Sequence, residues 1–377
     1  MNISELLAQG ENSAIEFKQE MPRAESLAKE MIAFANTQGG TLLLGVADNA
    51  EVIGIDNVQG YEETVMNIAR NNVIPALDVS YQEQQYQGKC IIAIDIPKGK
   101  DKPYQSLQHQ FLVRVGSTNR VATQAELMRL FQQSGVFHYD ALAIEHTSIK
   151  QINLYKISDY FDNYQIDFAE EEQPEILLKN TDILTDTGQA TIGGLLVFGL
   201  NPQKYLPSAC LSFAHFAGDS LSEELIDKQI LNGTLDQQVD AALAIIKHNI
   251  KQPSIIQGTQ TIDTEFCYPD KVFRELLVNA CVHRNYAISG SRIRVLMFVN
   301  RIEFISPGRL PNTVTLEKLS YGVSYASNPI IVKFMENLRY IDKLGRGLPM
   351  VYKIAKDNGK AITFEEMGEE FKVTLEL

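Results

Sequence analysis

One set of polar residues that could carry chemistry is spaced for a single helical face. Glu275, Asn279 and His283 follow one another at intervals of four residues, so a helix would project all three from one side. A carboxylate beside an amide oxygen can hold water and Mg²⁺ next to a phosphate. This spacing therefore predicts a magnesium and phosphate site, with Arg284 directly after it as a further phosphate ligand.

A second glycine-rich element could complete that site. Gly345, Arg346 and Gly347 precede an amphipathic run, and glycines at a helix start let backbone amides approach a phosphate at the positive end of the helix. Residues 270–360 hold 15 basic and 7 acidic side chains, a net charge of +8 in a chain of −13. Two ordinary interpretations stay open: the glycines only begin a helix, and the basic excess is a solvated face.

Three carboxylates near the N-terminus could hold a different metal. Glu11, Glu16 and Asp48 would bind Mg²⁺ or Mn²⁺ if a turn brought them together, because hard cations take oxygen ligands. Such a metal could activate water against a phosphodiester, with Lys18 steadying the phosphate. On spacing alone the alternative is favoured, in which residues 16–18 form a surface strand and Asp48 a turn.

A basic segment of the same region could contact nucleic acid. Phosphate contacts from lysine and arginine give affinity without sequence choice, and interleaved aromatic rings can stack on bases. The competing interpretation is a solvated hairpin flank. The cations of this segment are Lys98, Lys100, Lys102, Arg114 and Arg120, and the aromatic residues are Tyr104 and Phe111.

The elements that position these residues indicate an α+β chain of several domains. Apolar periodicity predicts helices over residues 24–37, 270–284 and 347–357, and a strand over 41–46. The apolar run TIGGLLVFG at 191–199 predicts a buried strand. A length of 377 residues allows two or three domains, which we place at 1–139, 140–267 and 268–377.

Composition narrows the class of protein. There is no apolar run long enough to span a membrane, and the N-terminus lacks the pattern of a secretory signal. The 4 cysteines are far apart and form no CxxC pair, which is typical of reduced thiols in a cytoplasmic protein. A membrane partner is therefore not expected.

Three sequence blocks resemble the AlbA-type domain of Schlafen proteins and bacterial regulators. They are ENSAIEFKQE, FANTQGGTLLLGVADNAEVIGI and FLVRVGSTNRVA, in that order over residues 5–135. The resemblance implies a fold that binds nucleic acid. In nuclease-active Schlafen proteins two glutamates and an aspartate form the metal site, and Glu11, Glu16 and Asp48 match those positions.

Four later blocks resemble a divergent ATP-binding module of the GHKL type, an α/β sandwich of the Bergerat kind. They are FRELLVNACVHRNY, NRIEFISPGRLP, SNPII and YIDKLGRGLPMVYKI. The resemblance implies ATP or ADP with Mg²⁺, Glu275 as the base of an ATPase, Asn279 as the magnesium ligand and Gly308, Gly345 and Gly347 as glycine-box residues. The aspartate that reads adenine is absent, and SPGRLP stands in its place.

The sequence thus favours a cytoplasmic transcriptional regulator that binds DNA, or alternatively RNA, and responds to a nucleotide. The rival function is a metal-dependent nuclease of the Schlafen type, acting on RNA or DNA in defence against phage. A third is a scaffold in which both sites have decayed. Oligomeric state stays open, with a homo-oligomer among the options.

Overall fold

The computed structural model describes residues 3–250, 254–257, 260–263, 268–312, 314–322, 325–341 and 345–377. It has the expected α+β character, and its contacts divide the chain into two compact units, residues 1–137 and 138–377. No helix in the described part is long and apolar enough to cross a bilayer.

Unit 1 is built on a four-stranded sheet of order β1-β2-β5-β4, in which β1 runs parallel to β2 and the other pairs are antiparallel. Side chains alternate between the two faces of a strand, so Leu42 and Leu44 pack beneath α2 and α3 while Leu43 packs on the side of α1. The elements are α1 (Ile3–Gln9), β1 (Ile15–Lys18), α2 (Ala24–Asn36), β2 (Gly39–Leu44), α3 (Tyr61–Asn71), β3 (Val73–Ile74), β4 (Ser80–Tyr86), β5 (Lys89–Pro97), β6 (Gln105–Ser106), β7 (Leu112–Val115), β8 (Thr118–Val121) and α4 (Gln124–Gln133).

Unit 2 contains a six-stranded sheet of order β10-β9-β13-β14-β16-β15. Its elements are α5 (Leu154–Asp162), α6 (Pro174–Asn180), α7 (Ile192–Phe198), β9 (Leu211–Phe216), β10 (Leu225–Leu231), α8 (Leu235–Asn249), β11 (Ser254–Gln257), β12 (Gln260–Asp263), α9 (Asp270–Val282), β13 (Ile293–Met297), β14 (Arg301–Pro307), α10 (Leu316–Leu319), α11 (Pro329–Asn337), α12 (Gly347–Asp357), β15 (Ile362–Met367) and β16 (Glu370–Glu376). Strand β9 pairs in parallel with β13. The segments expected as separate domains, 140–267 and 268–377, therefore share one sheet and one core.

The apolar run at 191–199 is a helix, so its predicted strand is wrong. Thr191 caps α7 by accepting a hydrogen bond from the Gly194 backbone N–H at 2.8 Å, and every residue of α7 is buried. A fully buried run shows no polar face, and its composition alone does not separate strand from helix.

Candidate functional site

The three N-terminal carboxylates do not assemble into the predicted metal site. Glu11 Oε1 accepts the Phe17 backbone N–H at 2.9 Å, while Asp48 is exposed in the turn after β2. Glu16 is buried on β1, where it lies opposite Leu42, short of the end of β2. Within the described ranges no cluster of three or more histidine, cysteine or acidic side chains could hold a metal ion. The prediction that Glu11, Glu16 and Asp48 share an ion is therefore corrected.

Glu16 is held by two cations of the chain. Its carboxylate is ion-paired with Lys18 and, at 2.7 Å, with Arg114. Arg114 also lies 3.5 Å from Glu30 on α2, and its side chain is only 1% exposed. Arg114 was predicted to contact nucleic acid, but in this position it is a buried partner of carboxylates and does not reach an external phosphate.

The basic segment is only partly a surface. Lys102 is 2% exposed, and its Nζ donates to the Thr37 carbonyl at 2.7 Å, so it is also removed from the predicted contact set. Tyr104 is buried too and does not stack on a base. Lys100 is exposed and Lys98 partly exposed. Arg120 is exposed and paired with Glu126 at 2.7 Å, and Lys18 remains 30% exposed.

In unit 2 the predicted residues converge on one cavity of about 290 Å³. This value lies near the lower end of the range for ligand pockets, about 300–1,000 Å³. The cavity lies between α9, the end of β14 and the start of α12, and six predicted residues line it: Glu275, Asn279, His283, Gly308, Gly345 and Gly347.

Glu275, Asn279 and Gly347 fit closely together. The Asn279 amide donates from Nδ2 to Glu275 Oε1 at 2.7 Å and to the Glu275 carbonyl at 2.8 Å. A Cβ placed on Gly347 would lie 1.6 Å from Glu275 Oε1, so only glycine lets the carboxylate reach the first residue of α12. With its nitrogen directed at Glu275, Asn279 keeps Oδ1 available for a metal or water.

His283 lines the same cavity as a neutral side chain. The residue is exposed, and partial desolvation by the protein around the ring lowers the pKa of the imidazole from 6.5 to about 4. At neutral pH the ring therefore offers one donor and one acceptor and no charge. The backbone turn after α9 positions it.

Two predicted phosphate ligands lie elsewhere. Arg284 is 1% exposed and donates to the carbonyls of Ile288 at 2.9 Å and Ser291 at 2.8 Å, so it fixes the loop after α9. Arg346 is exposed before α12 and does not line the cavity as the described residues form it. The assignment of Arg284 to a nucleotide is therefore corrected, because the side chain is buried and its terminal nitrogens already donate inside the protein.

The cavity also has an apolar side that the sequence did not reveal. Leu310, Val314 and Leu319 form a buried cluster, with Tyr325, Leu348 and Phe371 packed against it, and all six line the cavity. Four of these residues, Leu310, Val314, Leu319 and Tyr325, lie in residues 307–327, a segment rich in glycine and proline, and their recurrence there was the available signal. Positions 313, 323 and 324 of that segment lie outside the described residues.

Family models match two regions of the chain, one near each end. Residues 11–123 match the family model "Schlafen, AlbA_2", and residues 290–375 match the model "Putative ATP-dependent DNA helicase recG C-terminal", of the HATPase type. No curated protein matches the chain.

Solved structures add a likeness of fold. The crystal structure of the DIP2311 protein from Corynebacterium diphtheriae is 19% identical, with a TM-score of 0.50, and covers 99% of this chain and 79% of that one. An NMR structure covers 33% of this chain and 91% of its own, at 22% identity and a TM-score of 0.26. It is the N-terminal domain of a putative ATP-dependent DNA helicase RecG-related protein from Nitrosomonas europaea. The chain thus combines an N-terminal Schlafen AlbA_2 domain with a C-terminal HATPase-like domain of the RecG C-terminal type.

Proposed function

We propose that this protein binds nucleic acid through unit 1, binds a nucleotide in the cavity of unit 2, and acts as a nucleotide-responsive regulator of transcription. The observation that carries the proposal is the convergence of Glu275, Asn279, His283, Gly345 and Gly347 on one cavity. The family matches at both ends, to Schlafen AlbA_2 and to a HATPase-type domain, support a role connected with nucleic acids.

ATP or ADP with Mg²⁺ is the ligand that suits this cavity. Asn279 Oδ1 would hold the magnesium, and the backbone at Gly345 and Gly347 would face the phosphates at the start of α12. The apolar side would cover a base. Glu275, oriented by Asn279, is the candidate base: in hydrolysis it would accept the proton of a water that attacks the γ-phosphoryl group of ATP, with ADP as the leaving group.

Nucleic acid would be held by the exposed cations of unit 1. Lys100 and Arg120 are exposed, and Lys98 and Lys18 are partly exposed. Contacts of this kind neutralise phosphates without reading sequence. We favour duplex DNA, and RNA is a second arm of the test.

The test measures both ligands on the full chain. Calorimetry with ATP, ADP and GTP is expected to show binding that Asn279→Ala weakens, while Asn300→Ala, in the exposed β13–β14 turn, leaves it unchanged. Fluorescence anisotropy with labelled DNA and RNA is then repeated with saturating nucleotide, and a change in affinity is expected. No heat with any nucleotide would remove the nucleotide part of the proposal, and no nucleic-acid binding would remove the other part. Cleavage of the labelled strand would favour the nuclease instead.

A further inference from the structure

The guanidinium of Arg114 is enclosed by oxygen atoms in unit 1. Its Nη2 donates to the carbonyls of Asn12 at 2.8 Å and Ile15 at 3.0 Å and to Glu16 Oε2 at 2.7 Å. Its Nε donates to the Asn12 carbonyl at 3.1 Å, and its Nη1 to Asn119 Oδ1 at 3.3 Å. These oxygens come from β1, the segment before it and the β7–β8 hairpin, so the cation joins three parts of the chain.

The remaining surroundings are also those of a built cation site. The Phe34 ring lies 4.4 Å from the guanidinium carbon, and the electron-rich face of an aromatic ring attracts a cation. Glu30 Oε2 lies 3.5 Å from Arg114 Nη1 and accepts a hydrogen bond from the Asn119 amide. Burial and the neighbouring Glu16 raise the pKa of Glu30, so two close carboxylates need positive charge to stay ionised together.

The charges around the Arg114 guanidinium, a site that we call the Arg114 cage, are balanced by the chain itself. Glu16 and Glu30 supply two negative charges, and Arg114 and Lys18 supply two positive ones. Carboxylate and carbonyl oxygens are also what Mg²⁺ and Mn²⁺ prefer. A divalent ion beside Glu16 would lie next to the Arg114 guanidinium, which already uses the oxygens that face it.

We infer that Arg114 is the resident cation of this carboxylate site, a guanidinium in the place where a metal would be needed for nuclease chemistry. The residues present therefore do not fit a divalent ion at Glu16. Unit 1 is a metal-independent module, and its fold and any nucleic-acid binding are insensitive to chelators. The class of ligand that the cage accepts is a guanidinium ion.

The first test uses the intact protein and does not depend on removing Arg114. Manganese binding is titrated on wild type and Glu16→Gln by electron paramagnetic resonance, without nucleotide. We expect the same number of bound ions in both, and the same melting temperature of wild type in Mn²⁺ and in EDTA. One ion fewer in Glu16→Gln, or a wild type stabilised by Mn²⁺ through Glu16, would overturn the inference.

The second test removes the Arg114 guanidinium. Arg114→Ala should lower the melting temperature by on the order of 10 °C, because it leaves buried carboxylates without their partner. Low-millimolar guanidinium should restore part of that loss in Arg114→Ala and none in Arg120→Ala, which removes an exposed arginine. Arg114→Lys, which keeps the charge without the planar fork, should be intermediate. A folded Arg114→Ala protein as stable as wild type, or one that guanidinium does not rescue, would contradict the assignment. If this variant does not fold, the manganese comparison decides alone.

Discussion

The carboxylates of the two candidate sites, one in each unit, have different surroundings. In unit 1 the carboxylates of Glu16 and Glu30 face a cation from the chain itself, Arg114, and the site is closed. In unit 2 the carboxylate of Glu275 is oriented by a neutral amide, Asn279, beside an open cavity. The carboxylates of unit 1 are thus enclosed by the chain, whereas the carboxylate of Glu275 borders space that a ligand can occupy. Each prediction below tests one side of this contrast.

Among the variants that follow, the largest expected effect concerns a lysine whose charge is used inside unit 1. Lys102→Ala should lower the free energy of unfolding by about 2 kcal/mol, because the partly buried Thr37 carbonyl loses its donor and the packed lysine side chain is removed. Chemical denaturation of the full chain measures the change. Nucleic-acid affinity, measured under conditions where the variant is folded, should stay near that of wild type.

Lys100→Ala is the matched control, two residues away and exposed. It should leave stability within about 0.5 kcal/mol, while the slope of log affinity against log salt flattens by roughly 0.9 on duplex DNA if this lysine neutralises one phosphate. If Lys102→Ala instead reduced the salt slope and left stability intact, Lys102 would belong to the contact surface and its buried placement would be wrong.

The sequence predicted which polar residues lie together better in unit 2 than in unit 1, for a physical reason. Glu275, Asn279 and His283 lie on one helix, where spacing alone fixes their common face, and the end of α12 at residue 357 was also predicted from periodicity. The partners of Arg114 are about 100 positions away in sequence, at Asn12, Ile15 and Glu16. Strand β7 pairs with β8 and not with β1, so tertiary packing alone brings these residues together, and no local pattern encodes it.

The dependence on contacts that are not local in sequence also explains the other differences between prediction and structure. Lys98, Lys100 and Lys102 were expected to act as one basic surface, but Lys102 is buried while the other two are not. Which lysine is buried depends on what the segment packs against. The strand expected at 191–199 is a helix because a run buried on all sides shows no periodic polar face. The join between 140–267 and 268–377 depends on the parallel pairing of β9 with β13, which is also non-local.

A smaller effect is expected from changing the glycine at the start of α12. Gly347→Ala would place Cβ 1.6 Å from Glu275 Oε1, so the carboxylate must move and its hydrogen bond with Asn279 would break. We expect nucleotide affinity to fall about tenfold, or about 1.4 kcal/mol, with little loss of stability because alanine favours helix. Calorimetry measures the affinity.

Gly290→Ala provides the control, because a Cβ at Gly290 would meet nothing within 4 Å. It should bind nucleotide as wild type does. Unchanged affinity in Gly347→Ala would show that the start of α12 takes no part in the nucleotide site. The contrast between the cavity of unit 2 and the closed site of unit 1 would then lose its support.

At neutral pH the smallest effect is expected at His283, because its protonation differs between the folded and unfolded states only at lower pH. Its pKa is lowered to about 4 in the folded protein, while in the unfolded chain it returns to near 6.5. The unfolded state therefore binds more protons between these values, so this residue reduces stability as pH falls from about 6.5 to about 4 and has no effect above that window. His283→Gln should flatten the dependence of unfolding free energy on pH in this window alone.

Nucleotide binding should raise the lowered pKa of His283. Phosphates beside His283 would favour the charged ring and raise its pKa, so binding at pH 5.5 would take up part of a proton and become tighter than at pH 7.5. Calorimetry in two buffers of different ionisation enthalpy measures the uptake, and subtracting the result for His283→Gln removes the proton taken up by the nucleotide itself. A positive difference places the phosphates next to this ring. Equal uptake in both proteins would mean that the phosphates lie away from His283, and the polar end of the cavity would then be reassigned even if nucleotide binds.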